Sequence, residues 1–318
     1  MSLMSVFCKM KDLPKRIYRR LKKPLAEWNY RYHVDHCPKK IIEASWIRDF
    51  GYPIDWEHPR DINEKIQWLI AFSDTTEWSR LTDKYLVRDY VKSKGFEGNL
   101  TKLYGVWKKA EDIDFDALPK KFILKCNHDS GSYCIVDKQK GYDRDDLVKK
   151  IDKLLRRKYG YQFCEPHYNR INPLVIAEEF LEEDNSFSSS LVDYKVWCFN
   201  GKPFSVYVCY GRDKNGKYTN FYDLDWNVHP EWNVFSEHNK DGHGIVPKPS
   251  CLLEMLEMAS ILSKGFPEVR VDFYIVKNKV YFGEMTFTDY MGRIKNYAPS
   301  YLKELGSQCD LSLAEKIV

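Results

Sequence analysis

From Phe122 onward the chain is cut into short runs rich in β-branched and aromatic residues, and that series restricts the fold more than any other feature. The runs cover residues 122–126, 133–137, 174–181, 192–199, 203–210, 271–276 and 279–286, each bounded by turn residues. Helical patterns at 144–158 and 251–264 separate some of them, so the order is neither all-β nor a regular βαβ alternation. The predicted class is α+β, with hairpin-rich sheets carrying helices on one face. Upstream, Asn63 to Ile70 and Asp83 to Val91 have the period of amphipathic helices, the second stopped by Gly95.

Composition narrows the partners. With 43% apolar residues in 318, a large core or two to three smaller ones can be buried. Fifty basic against 46 acidic residues leave an excess of +4, too small and dispersed to make nucleic acid the main partner. The nine cysteines include no C-x-x-C pair, and Cys126, Cys198 and Cys209 lie in apolar runs, as reduced core thiols do. No apolar stretch reaches the roughly 18 to 20 residues that span a bilayer, and none resembles a secretion signal, so the expected location is the cytoplasm. Met1-Ser2-Leu3 before Met4 reads as an appended leader and is left out of the fold.

Residues 9–23 carry Lys9, Lys11, Lys15, Arg16, Arg19, Arg20, Lys22 and Lys23, with Leu13, Ile17 and Leu21 about one helical turn apart. Asp12 suits the cap of this basic amphipathic helix, Pro14 its first turn and Pro24 its end. Attraction to an anionic membrane surface, as peripheral contact, or to a polyanionic substrate is one reading; one packed and one solvated face is the commoner outcome. His33, His36 and Cys37 are too few ligands to make a metal site without another group nearby.

The segment Arg270 to Thr286 reads as a hairpin, two apolar runs joined by a polar turn around Asn278. A turn centred on Asn278 sets Asp272 opposite Glu284 and Arg270 opposite Thr286, all four on one face. Val271, Phe273, Ile275, Tyr281, Met285 and Phe287 are then predicted on the other. Opposed carboxylates repel unless a cation or shared proton intervenes, and magnesium takes one or two carboxylates together with nucleotide phosphates. A salt-bridge network through Arg270 and nearby lysines would serve equally.

Three further segments carry polar groups on strands. Phe122 to Tyr133 is a strand that ends in Lys125 and runs into Asn127-His128-Asp129-Ser130-Gly131-Ser132, a loop small enough to fold over phosphates, though not a P-loop. Leu174 to Leu181 is an apolar strand ending at Glu178 and Glu179, with walls suited to an adenine ring or simply to a core. Asp193 to Val208 contains the strongest hairpin signal, at Asn200-Gly201, and projects Lys195 from a sheet, toward water or toward an anion.

This order of parts resembles the ATP-grasp superfamily, and within it the group named for teichuronopeptide biosynthesis, over about residues 50–300. Particularly similar are Asn63-Glu64-Lys65-Ile66 with Trp68, Asp83-Lys84 with Val87-Arg88 and Tyr90-Val91, Leu124 to His128 with Ser130-Gly131, and Asp193-Tyr194-Lys195. The resemblance implies two α+β subdomains that grip ATP, a lid over 111–190 and a metal-binding C-terminal subdomain over 191–318, preceded by a mainly helical region over 1–110. It implies that Lys84 and Lys125 contact phosphates or adenine, that Ser130 and Gly131 belong to the phosphate loop, and that Glu178, Glu179, Phe180 and Leu181 form the adenine hinge. Lys195 becomes a further phosphate contact, and Arg270, two before Asp272, the group that stabilises charge on the transferred phosphoryl, with Lys125 the second catalytic candidate. Asp272 and Glu284 match the metal acids, while Thr286 stands where the superfamily has asparagine, which alters the donor available to a second magnesium.

The implied activity is an ATP- and magnesium-dependent carboxylate-amine ligation in bacterial surface-polysaccharide or capsule assembly, joining a sugar acid to an amine or amino acid. Rival readings are an ATP-grasp phosphotransferase and a glycosyltransferase using Asp223-Leu224-Asp225, a pattern that also arises by chance in surface loops. A binding protein without catalysis fits the joint presence of acids, arginine and lysines less well.

Overall fold

The computed structural model describes residues 15–182 and 187–315, so the proposed cap Asp12 and the start of the Ser-rich loop lie outside the described residues. The chain divides into two units, residues 1–54 and 55–318. In the first, helix α1 (Lys15–His36) and helix α2 (Lys39–Phe50) pack together. Pro24 sits inside α1 and does not end it, contrary to expectation. A proline forfeits its own backbone bond, and Leu25 to His36 contains no further proline or glycine, so the helix continues. Val34, Ile42 and Trp46 are buried, with Trp46 stacked on Phe50 at 4.2 Å. His33 Nδ1 lies 3.1 Å from Cys37 Sγ, but no group of three or more His, Cys, Asp or Glu side chains encloses a metal-sized site among the described residues.

The second unit opens with helices α3 (Ile62–Phe72), α4 (Thr76–Thr82) and α5 (Val87–Ser93). Asp61 caps α3 by accepting the Glu64 amide at 3.0 Å. The periodic stretch from Asp83 is not helical throughout. The Asp83 carboxylate accepts the amides of Tyr85 and Leu86 at 2.8 and 3.2 Å, and this local turn delays the helix to Val87.

Next come strands β1 (Leu103–Trp107), β2 (Lys121–Cys126) and β3 (Tyr133–Asp137), helices α6 (Arg144–Leu155), α7 (Tyr159–Phe163) and α8 (Pro166–Asn169), and strand β4 (Val175–Glu179). The four strands make an antiparallel sheet in the order β1-β4-β2-β3. Alternation in β2 sends Phe122 and Leu124 into a core shared with Phe115, Val136, Ile151 and Ala177, against α6. Ile123 and Lys125 point to the other face, where Tyr133 and Ile135 are exposed.

The remaining elements are β5 (Asp193–Phe199), β6 (Lys202–Asp213), β7 (Gly216–Tyr222), β8 (Asn239–Asp241), α9 (Leu252–Ser263), β9 (Val269–Val276), β10 (Lys279–Thr286) and α10 (Pro299–Gln308). Their six strands lie in the order β10-β9-β5-β6-β7-β8, antiparallel except for β7 with β8. Helix α9 packs against β5, β6 and β9. An aromatic cluster of Tyr207, Phe221, Tyr297 and Tyr301 fills part of the sheet, the Phe221 and Tyr297 rings 4.7 Å apart and nearly perpendicular. Trp78 of α4 stacks on Phe287 at 5.0 Å, just beyond β10.

Among the described residues every cysteine is a free thiol and no helix is long and apolar enough to cross a membrane.

Candidate active site

The β9-β10 turn consists of Lys277 and Asn278, both left-handed, with φ of 51° and 60°. Two such residues make the tight hairpin turn whose twist matches paired strands. The turn's centre therefore lies between residues 277 and 278, and a continuous ladder would set Asp272 opposite Gly283. A bulge at Gly283 restores the predicted pairing, Glu284 with Asp272 and Thr286 with Arg270. A Cβ at Gly283 would lie 2.8 Å from the Asp272 carbonyl oxygen, so glycine permits the bulge. The same bulge corrects one assignment: Tyr281, opposite Tyr274, lies on the acids' face, and Val280 and Phe282 take its place in the core.

Strand β5 extends this row. Lys195 is opposite Asp272 on one side and Tyr207 on the other, so Glu284, Asp272, Lys195 and Tyr207 cross the sheet in line. Asp272 is held by cations on both oxygens: Arg270 Nε donates to Oδ1 at 2.7 Å and Nη2 to Oδ2 at 2.9 Å, and Lys195 Nζ also donates to Oδ2. Arg270 further donates to Asp289, and to the Thr286 hydroxyl at 3.3 Å. Burial raises the Asp272 carboxyl, but Arg270 and then Lys195 outweigh it and leave the group below the usual carboxylate range. For Lys195, burial disfavours the charge, and Asp193 and Asp272 reverse this, leaving its pKa raised. Glu284 differs: its side chain is 41% exposed and 4.0 Å from Arg270.

On the small sheet, Lys125 Nζ donates to Glu178 Oε2 at 2.8 Å, and Arg88 of α5 to Oε1 at 2.7 Å. Burial raises the Glu178 carboxyl, and Lys125 and Arg88 more than offset it, so the group stays ionised below its ordinary range. The Glu178 side chain is thus committed to cations, and the open part of the expected hinge is Glu179, Phe180 and Leu181. Together with Glu182 and the hairpin residues Val276, Lys277, Lys279 and Tyr281 they line a cavity of about 450 Å³. Lys121 lies over the Phe180 ring at 4.3 Å.

The loop after β2 is pinned from within. Asn127 accepts the Leu174 amide at 2.6 Å and donates to the Asn172 carbonyl at 3.1 Å. Lys84 donates to the Asp129 carbonyl, while Ser130 and Gly131 stand exposed at the tip, Gly131 with φ of 80°. Burial, then Glu165 and Glu284, raise the Tyr168 hydroxyl well above its ordinary value. Arg88 and Asn127 received no role from the sequence; each resembled an ordinary polar residue of its helix or turn.

Removing Arg88 takes one of two cations from a buried carboxylate and leaves it with Lys125 alone. Arg88→Met is expected to cost about 3 kcal/mol in urea unfolding, and adding Glu178→Gln to recover part of it; additive losses would contradict the pairing.

The model of the family described as TupA-like ATPgrasp matches residues 64–310. The chain belongs to the TupA-like ATP-grasp family. No curated protein sequence matches it. Among solved structures, it is similar to D-alanine–D-alanine ligase from Bacillus anthracis complexed with ATP, at 16% identity and TM-score 0.44 over 76% of this chain and 70% of that one. Others are the Helicobacter pylori D-alanine–D-alanine ligase, at 14% and 0.41 over 79% and 67%, and an L-amino acid ligase from Bacillus licheniformis, at 14% and 0.41 over 70% and 48%. At these scores the family match alone bears the assignment.

ATP-grasp enzymes use ATP, and in this TupA-like member the residues available for a magnesium ion are oxygen donors: Asp272, Glu284 and the Thr286 hydroxyl. That donor set suits magnesium when phosphates and water complete the shell. Glu284 is the accessible carboxylate, whereas Asp272 already balances two buried cations. The repulsion predicted between the acids is therefore offset here by Arg270 and Lys195, and the fit rests on Glu284 with a share of Asp272.

Proposed function

We propose that this TupA-like ATP-grasp protein is an ATP- and magnesium-dependent carboxylate-amine ligase acting through an acyl phosphate, in surface-polysaccharide assembly, with a sugar acid and an amine or amino acid as substrates. The observation that carries the reading is the line Glu284, Asp272, Lys195 on one sheet face with Arg270 beside it. Phosphoryl transfer asks the protein for positioning and charge neutralisation, with no nucleophile of its own. Lys195 and Arg270 supply positive charge that is fixed by burial and costs no reorganisation. Lys84, Lys125 and the Ser130-Gly131 tip would hold the phosphates from the small sheet, and Glu179 to Leu181 would wall the adenine. Magnesium held by Glu284, Asp272 and Thr286 would neutralise the β- and γ-phosphate oxygens.

The reading is tested by supplying magnesium, ATP, sugar acids and amines, and following ADP and phosphate separately. Ligation releases both equally and only with a carboxylate acceptor, and hydroxylamine traps the intermediate as a hydroxamate. ADP without phosphate would instead identify a phosphotransferase, and failure to bind ATP would end the proposal. The glycosyltransferase alternative loses support from the geometry of Asp223. Its carboxylate accepts the Asp225 and Asn227 amides at 3.0 and 2.7 Å and organises a turn.

A further inference from the structure

Lys217 lies on the same sheet face as the row of acids, past its far end. On β7, residues 217, 219 and 221 alternate on one face; Phe221 is opposite Tyr207, and Tyr207 opposite Lys195. Two strand spacings, roughly 10 Å, separate β5 from β7, and Lys217 lies four residues along β7 from Phe221, so it meets the row through its side chain at Tyr207. Lys217 Nζ is 5.5 Å from the centre of the Tyr207 ring and 5.9 Å from that of Tyr290, and it donates to the Tyr290 hydroxyl at 3.3 Å. These partners are rings and a hydroxyl; among the described residues no carboxylate forms an ion pair with Lys217. It is only partly buried. A lysine held on an aromatic floor, with hydrogen-bonding capacity left over, is prepared for an anion.

The turn that brings Tyr290 there is built to hold it. Tyr290 and Met291 are both left-handed, with φ of 45° and 60°, a conformation that costs a non-glycine residue about 1 kcal/mol or more. It is fixed from two sides. Arg270 binds the preceding Asp289, which also accepts from the Tyr297 hydroxyl at 3.1 Å, and Gln67 of α3 donates to the Met291 carbonyl at 2.7 Å. The arginine beside the acids therefore also sets the position of the tyrosine that meets Lys217.

We infer that Lys217 and Tyr290 form the seat for a carboxylate-bearing acceptor, next to the phosphoryl-transfer row. The inference rests on the ligase reading and adds the acceptor's place and charge: the lysine takes the carboxylate, the Tyr290 hydroxyl donates to it, and the ring faces carry the apolar part of the molecule.

The test uses D-glucuronate, L-glutamate and D-lactate as probes of ADP formation at saturating magnesium-ATP, with the affinity for magnesium-AMPPNP measured separately by calorimetry. At least one probe is expected to stimulate turnover. Lys217→Met should raise its half-saturating concentration about tenfold or more, through KM rather than kcat, and Tyr290→Phe about threefold, with AMPPNP affinity unchanged. Lys240→Met, on the next strand beside the Tyr218 ring, should leave the carboxylate dependence as it is. Wild-type protein that binds AMPPNP but responds to none of the three carboxylates overturns the acceptor seat, as does a Lys217→Met protein with an unmoved half-saturation. Wild-type protein that fails to bind AMPPNP instead refutes the ligase reading beneath it.

Discussion

Glu284→Gln is expected to lower ATP turnover on the order of a thousandfold while leaving the protein within about 0.5 kcal/mol of wild-type stability. The amide keeps the shape of the side chain and removes the negative charge offered to a metal. Glu284 is half exposed and 4.0 Å from Arg270, so no buried partner loses its counter-charge. Asp272→Asn is expected to lose turnover as well, but at a further cost of about 3 kcal/mol, because Arg270 and Lys195 would be left sharing a neutral group inside the sheet. Loss of rate in the aspartate variant is therefore ambiguous, and the comparison of the two separates chemistry from folding. Turnover and urea unfolding measured on both decide it. A Glu284→Gln protein that retains more than about a tenth of the wild-type rate would remove Glu284 from the metal role.

The contrast between these two acids was only half visible in the sequence. Spacing from the turn sets Asp272 opposite Glu284, and that pairing holds, but through two compensating departures: the turn centres half a residue earlier, and Gly283 bulges. A lone glycine in a strand run is a known mark of a bulge, and here it moves Tyr281 to the other face. Its own strand showed Lys195 only as a lysine bound for water or an anion, and the family resemblance made it a phosphate contact; neither indicated Asp272 as its partner. Its partner is set by the pairing of β5 with β9, strands some 77 residues apart at the Lys195-Asp272 contact, and no local pattern reports such a register. Arg88 was equally silent, because an arginine on a short amphipathic helix has the same appearance whether it faces water or a buried glutamate 90 residues away. The elements with clean alternation, β2 above all, were legible because one face packs a core and the other does not.

Two buried groups, Glu165 and His167, make opposite contributions to stability between pH 3 and 8, and Glu165→Gln is expected to expose the first of them. Burial pushes the Glu165 carboxyl up to about 7, the Thr288 hydrogen bond and Arg293 offsetting only part of it, against an ordinary value of 4.5. Burial, with Arg170 adding to it, pushes His167 down to about 3 from 6.5; neither ring nitrogen has a hydrogen-bond partner. The signs are opposite. Between about pH 4.5 and 7 the folded protein holds a proton on Glu165 that the unfolded chain has released, so stability falls as pH rises, by about 3 kcal/mol in all. Between about 6.5 and 3 the unfolded chain protonates His167 and the folded protein does not, so stability falls as pH drops, by about 5 kcal/mol. From about 4.5 to 6.5 these two slopes cancel each other. Glu165→Gln removes one slope: it should be more stable than wild type by about 3 kcal/mol at pH 8, an advantage that shrinks as pH falls below about 7 and is gone by about pH 4.5. Unfolding free energies taken at intervals from pH 4 to 8 test this through the difference between the two proteins, in which all other titrating groups cancel. Parallel curves would mean that Glu165 does not change its charge in this range. Because Glu165 is bonded to Thr288, two residues beyond Thr286, and His167 packs edge-on against Trp78, itself stacked on Phe287, this protonation acts on the residues that follow β10.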